Sequence, residues 1–147
     1  MEGLFGSGNV PKHTKPTHMS CVVHGCLVEM LNGYDSYRVP LVHLTPIQEI
    51  AKGDYVMDPL NNVPKRVVDV LRYETGGMWP LHTFLGLRAD AAQWIWYPPT
   101  QELTRLTQTS ASSTEMCDAI FALVLENGKY ARIDGVVCCT HSITDVV

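Results

Sequence analysis

Turn-forming dipeptides recur along this chain at intervals of about ten residues, and the segments between them are too short for amphipathic helices. They include Asn32-Gly33, Gly53-Asp54, Asp58-Pro59, Gly76-Gly77, Pro98-Pro99, Asn127-Gly128 and Asp134-Gly135. Between them lie alternating or continuous apolar runs rich in Val, Ile, Leu, Trp and Tyr, which read as short strands over 27–31, 37–44, 55–57, 65–73, 81–87, 93–97, 102–106, 119–126, 130–133 and 136–139. Asn32-Gly33 and Asn127-Gly128 are the dipeptides best suited to tight hairpins, because both residues tolerate φ > 0. Gly76-Gly77 is expected to break the longest alternating run. Pro46 to Ile50 reads as a single helical turn with Ile47 and Ile50 on one side, and Asp54 reads as a turn-capping residue. Residues 107–114, rich in Thr and Ser, read as an exposed loop. The pattern predicts one all-β domain of about ten short strands.

Composition narrows the function classes. The 147-residue chain is 46% hydrophobic and 18% charged, as a globular domain with a real core requires. Its net charge is −4, and its longest basic run is Lys65-Arg66, so no nucleic-acid surface is expected. No apolar run approaches the roughly 18 residues of a membrane span, and no signal peptide is visible, so an intracellular monomer without membrane contact is expected. Five cysteines, an odd number with an adjacent pair at Cys138-Cys139, read as reduced thiols rather than a disulfide framework. Residues 1–20 lack apolar periodicity and read as a flexible leader that includes His13 and His18. Cys21 then opens the first patterned segment, an unusual place for a packing residue.

Several stretches resemble, in order, one family: the Hint fold shared by inteins and hedgehog autoprocessing domains, with the Vint (viral intein-like) domains as its nearest branch. Cys21 matches the family's first position, followed by Val28 and Asn32-Gly33 at its spacing. Ile47-Gln48-Glu49-Ile50-Ala51-Lys52-Gly53-Asp54-Tyr55-Val56 is similar to its "L-x-x-G-D-x-V" signature. Gly86-Leu87-Arg88 resembles the strand that leads into the family's Thr-x-x-His, and Trp96-Tyr97-Pro98 the segment just beyond. Phe121 to Gly128, and then Ile133-Asp134-Gly135-Val136-Val137-Cys138-Cys139-Thr140, resemble the closing hairpin. The match spans residues 21–143, leaving 144–147 as a tail. It implies a horseshoe-like all-β fold with Cys21 near its centre.

The resemblance also implies a reaction. Cys21 would attack the Ser20 carbonyl, converting the Ser20–Cys21 amide to a thioester by an N-to-S acyl shift. The chemistry is single-turnover, needs no cofactor, and has the chain's own flanking polypeptide as its partner. A free thiol with pKa about 8.5 is only a few per cent thiolate at neutral pH, so a nearby base helps. The family supplies proton donor and oxyanion donor through Thr-x-x-His. At those positions this chain has Asp90 and Gln93. A carboxylate cannot donate to an oxyanion and an amide cannot carry a proton to an amine, so the shift should be impaired. The chain ends Thr140-His141-Ser142 without the Asn that releases an intein's C-terminal segment, which leaves N-terminal autocleavage rather than full splicing. Cys138, Thr140 and His141 complete the candidate site, and His24 or His141 is available as a substitute acid or base.

Two other readings stand beside this one. A Hint domain that has lost its Thr-x-x-His would serve as a binding or structural module. Alternatively, Cys21-x-x-His24-x-Cys26 with Cys138-Cys139-x-His141 offers Cys and His ligands for zinc, although alternation sends Cys138 and Cys139 to opposite faces. Trp79, Trp94 and Trp96 read as core and rim residues.

Overall fold

The computed structural model describes residues 9–10, 19–109 and 112–143. His13, His18 and the tail at 144–147 lie outside the described residues, as does most of the segment read as a leader. The strands are β1 (Asn9–Val10), β2 (Val22–Val23), β3 (Leu27–Tyr34), β4 (Pro40–Pro46), β5 (Tyr55–Met57), β6 (Pro64–Phe84) and β7 (Leu87–Ala89). They continue with β8 (Trp94–Tyr97), β9 (Glu102–Arg105), β10 (Ser112–Leu125), β11 (Tyr130–Ile133), β12 (Val136–Cys139) and β13 (His141–Ser142). Single 3-10 turns at Ile47–Glu49 and Leu106–Gln108 are the helical pieces among them. The domain is all-β, as the turn spacing predicts.

A long two-stranded ribbon of β6 and β10 forms the spine, antiparallel from Ser112↔His82 to Leu125↔Val67. Gly76-Gly77 does not break β6. Both glycines sit at positive φ inside the strand, where β6 itself bulges, with Thr75 and Gly76 opposite the single β10 residue between Cys117 and Ala119, so the ribbon bends without ending. The strands expected at 65–73 and 81–87 are therefore one, reversed into β7 at Leu85-Gly86. Likewise β10 begins at Ser112, inside the stretch read as a loop. Its far edge holds β2, which pairs on its other side with β7, while β7 returns to β6. Four strands thus close on themselves around Cys21, Val22, Leu71, Tyr73, Leu87, Ile120 and their neighbours, all buried.

The second lobe is the sheet of β3, β4, β5, β11, β12, β8 and β9. Asn32-Gly33 does not make its hairpin turn. It lies within β3 as an irregularity between Leu31 and Tyr34, with Gly33 at φ +79. The chain reverses at Asp35–Val39 instead, because the Asp35 carboxylate accepts the N–H groups of both Tyr37 (2.7 Å) and Val39 (2.9 Å). Asn127-Gly128 is not a hairpin either: β10 and β11 do not pair, and the dipeptide is a corner between the lobes. Asp134-Gly135 does close a two-residue hairpin between β11 and β12, with φ of 49° and 80°. Asp54 ties its turn as expected, accepting the Ala51 N–H at 2.9 Å.

Asp69 on β6 is fully buried, and one of its carboxylate oxygens has no hydrogen-bond partner. Burial pushes its pKa up, offset in part by the Val70 N–H and by Lys52. A carboxyl whose folded pKa is raised costs stability once pH exceeds its unfolded value. Asp69→Asn is therefore expected to raise the melting temperature at pH 7, with the gain shrinking as pH falls towards 4. Calorimetry across that range checks it.

Candidate active site around the Ser20–Cys21 amide

Two strands meet end to end on one edge of β10. The antiparallel β2 pairs Val22 with Phe121 and Val23 with Ile120, a register that continues back to place Ser20 beside Leu123. The parallel β13 starts one residue further, with His141 opposite Val124. His141 thereby abuts a backbone 121 residues away: the Ser20 N–H donates to its Nε2 at 3.0 Å, and the same nitrogen is 3.4 Å from the Ser20 carbonyl oxygen. Ser20, Cys21 and His141 are all buried.

The other edge of β2 brings in the turn after β7. Val22 pairs with Ala89, so the next residue, Asp90, falls beside Cys21 and donates its N–H to the Cys21 carbonyl at 3.1 Å. The turn closes on itself through Gln93 N–H to the Asp90 carbonyl (3.1 Å) and Ala92 N–H to the Asp90 carboxylate (3.0 Å). It also holds Ser20, whose hydroxyl donates to the Ala92 carbonyl at 3.2 Å and accepts from Trp94 N–H at 3.4 Å. Gln93 is 1% exposed and its amide nitrogen donates to the Trp94 carbonyl (2.7 Å) and the Cys139 carbonyl (3.0 Å). Asp90 and Gln93 thus sit on the turn that holds the Ser20–Cys21 amide, but the Gln93 side chain ties that turn to the closing strand.

Thr140 is buried between Cys139 and His141. Its N–H donates to the Lys129 carbonyl at 2.7 Å and its hydroxyl has no hydrogen-bond partner. Cys138 is fully buried on β12, its thiol directed to the Val136 carbonyl at 3.4 Å, with the titratable groups of Cys26, Cys139 and Asp134 as neighbours. His24 does not join the buried histidine; it is exposed on the turn after β2. The zinc arrangement does not assemble. His24 faces solvent, Cys138 and Cys139 alternate between buried and half-buried positions, and among the described residues no group of three or more His, Cys, Asp or Glu is placed to hold a metal ion. Burial pushes the Cys26 thiol to about 12 and Cys139 to about 11, and raises Cys138 and Cys117. At pH 8 all four thiols are expected to react with iodoacetamide more slowly than a free thiol, Cys26 and Cys139 by at least about tenfold, as peptide mapping would measure.

Tyr73 and Met19 escaped the sequence reading. Tyr73 looked like one more apolar position of an alternating strand. It is 1% exposed, and its hydroxyl donates to the Met19 sulfur at 2.9 Å. Burial, with the nearby Cys21 thiol and Asp69 adding to it, pushes its pKa up, so it remains a donor at neutral pH. Position in an unpatterned leader hid Met19.

The arrangement defines an all-β domain built around a buried amide whose carbonyl and flanking N–H both face a histidine. Solved structures share its fold. The solution structure of a bacterial intein-like domain from Clostridium thermocellum superposes with a TM-score of 0.57 at 13% identity, covering 84% of this chain and 99% of that one. A crystal structure of a mutant Ssp DnaB mini-intein variant gives a TM-score of 0.55 at 12% identity, covering 82% of this chain and 90% of that one. No protein-family profile and no curated protein sequence matches. The fold is that of intein-like (Hint) domains. Among the described residues no helix is long and apolar enough to cross a membrane.

Proposed function

We propose that this domain is a self-processing module in which Cys21 attacks the Ser20 carbonyl to form a thioester, which water or an external nucleophile then breaks, releasing the chain on the N-terminal side of Cys21. The sequence pattern puts it nearest the Vint branch, and its partner is its own flanking polypeptide. One observation carries the reading: His141 Nε2 lies against both the Ser20 N–H and the Ser20 carbonyl oxygen. In the step, a bond forms between Cys21 Sγ and the Ser20 carbonyl carbon, and the Ser20–Cys21 C–N bond breaks. The thiol proton ends on the amine of Cys21. While it accepts the Ser20 N–H, Nε2 carries no proton. Once it takes one from the thiol, it becomes a donor and its favourable partner is the carbonyl oxygen, where negative charge develops. The contact is thus stronger in the tetrahedral state than in the resting amide, which is what lowers a barrier.

Asp90 and Gln93 support a slow reaction. The carboxylate adds negative charge beside the site, and the amide holds the turn without carrying a proton. The buried Gln93 clamp between Trp94 and Cys139 also favours a second reading, a Hint-type scaffold that has exchanged a catalytic group for a structural one. A reporter fused ahead of the chain separates the two. Dithiothreitol or hydroxylamine should release a fragment ending at Ser20, seen by intact mass, and Cys21→Ala should abolish the release. Thiol-independent integrity of the fusion, in a chain that melts cooperatively, would instead establish the scaffold.

A further inference from the structure

We propose that the domain reads the polypeptide ahead of Cys21 through a subsite now filled by Met19, which selects an unbranched apolar side chain bearing a weak hydrogen-bond acceptor. The inference rests on Ser20–Cys21 being the bond that is processed, and it adds which flanking sequences the domain will process. Met19 lies two residues before Cys21, on the side that cleavage would release. It is nevertheless 1% exposed and part of the main core cluster.

The residue that receives it is Tyr73. Its hydroxyl, buried and protonated, donates to the Met19 sulfur at 2.9 Å. The same stretch of β6 also takes the flank's backbone, since β1 pairs in parallel with Asn9 opposite Arg72 and Val10 opposite Tyr73. The next flank residue, Ser20, is held by the Ala92 carbonyl and the Trp94 N–H. Positions 19 and 20 are therefore gripped in series by parts of the domain that lie on different strands. Binding remote from the reacting atoms can hold the carbonyl in place for the thiol.

Selectivity follows from what the subsite would do to other side chains. A carboxylate at 19 would be buried beside the Cys21 thiol and the Tyr73 phenol, and taking a charge out of water there is costly. Leucine fills similar volume but leaves the Tyr73 hydroxyl without its partner, and a buried donor left unpaired is penalised more than one never present. That penalty belongs to the hydroxyl, so it should vanish when the hydroxyl is removed.

The test uses the full chain behind a reporter, with Met19→Leu, Met19→Ala and Met19→Asp made in both the parent and Tyr73→Phe backgrounds. The readouts are the first-order rate of dithiothreitol-dependent release at Ser20 and the melting temperature. In the parent background Met19→Asp should slow release by about a hundredfold and Met19→Leu by about three- to tenfold. In the Tyr73→Phe background leucine and methionine at 19 should be equivalent, a switch in preference that general destabilisation would not produce. Rates indifferent to residue 19, or a leucine penalty that persists without the hydroxyl, would overturn the subsite. If no Cys21-dependent release occurs even with Met19, the processing reading has failed. The melting temperatures then decide the subsite alone: non-additivity between positions 19 and 73 supports it, and additivity overturns it.

Discussion

Changing Asp90 to threonine and Gln93 to histidine together is expected to raise Cys21-dependent release at Ser20 by at least about a hundredfold. A positioned acid or base contributes about 10²–10⁴ in rate, and an oxyanion donor about 10²–10³. The turn is already where such groups are needed, since Asp90 donates its N–H to the Cys21 carbonyl and Ala92 and Trp94 bracket Ser20. Threonine at 90 retains an oxygen to accept the Ala92 N–H, which now bonds the carboxylate at 3.0 Å, so the turn should survive. It also removes a negative charge that opposes the oxyanion. Histidine at 93 must release the two carbonyls that the Gln93 amide holds, those of Trp94 and Cys139. Leaving a buried carbonyl unpaired costs about 1–3 kcal/mol, so the double variant should melt lower than the parent while cleaving faster. That opposition of stability and rate is the signature to look for. A folded double variant with an unchanged rate would show that residues 90 and 93 are not the functional pair.

How much of this was legible in the sequence depended on the range over which each feature is determined. The Ile47–Glu49 turn, the Asp54 cap and the Asp134-Gly135 hairpin are set within a few residues, and local residue chemistry identified them. Asn32-Gly33 misled because Asp35, with its two backbone acceptor contacts, outcompetes it as the turn. Gly76-Gly77 misled because a strand can accept positive φ at its own bulge while it stays paired, and the β10 partner that keeps it paired lies some forty positions on. Family resemblance singled out Asp90 and Gln93, and the structure lays their turn alongside Ser20 and Cys21. The approach of His141 to Ser20 depends on β2 and β13 sharing an edge of β10, a pairing no periodicity announces. Tyr73 and Met19 were invisible because their contact joins β6 to an unpatterned stretch 54 positions earlier in the chain.

His141 should be the side chain whose loss removes most of whatever activity the parent has. His141→Ala is expected to reduce Cys21-dependent release by about 10²–10⁴, the range for a positioned acid–base group. Part of any loss will be structural, because truncation leaves the buried Ser20 N–H without the acceptor it now meets at 3.0 Å. His141→Gln separates the two contributions. A glutamine can accept the Ser20 N–H through its oxygen and donate to the Ser20 carbonyl through its nitrogen, but it cannot carry the thiol proton to the amine. The glutamine variant should therefore recover most of the melting temperature lost in the alanine variant and little of the rate. A glutamine variant as fast as the parent would show that His141 only props the amide, and would transfer the proton-carrying role to another group. Because His141 reaches Ser20 through β10, the same result would bear on why the closing strand stays parallel to that edge. A histidine that carried no proton would need only a hydrogen-bonding side chain there, and glutamine would serve as well.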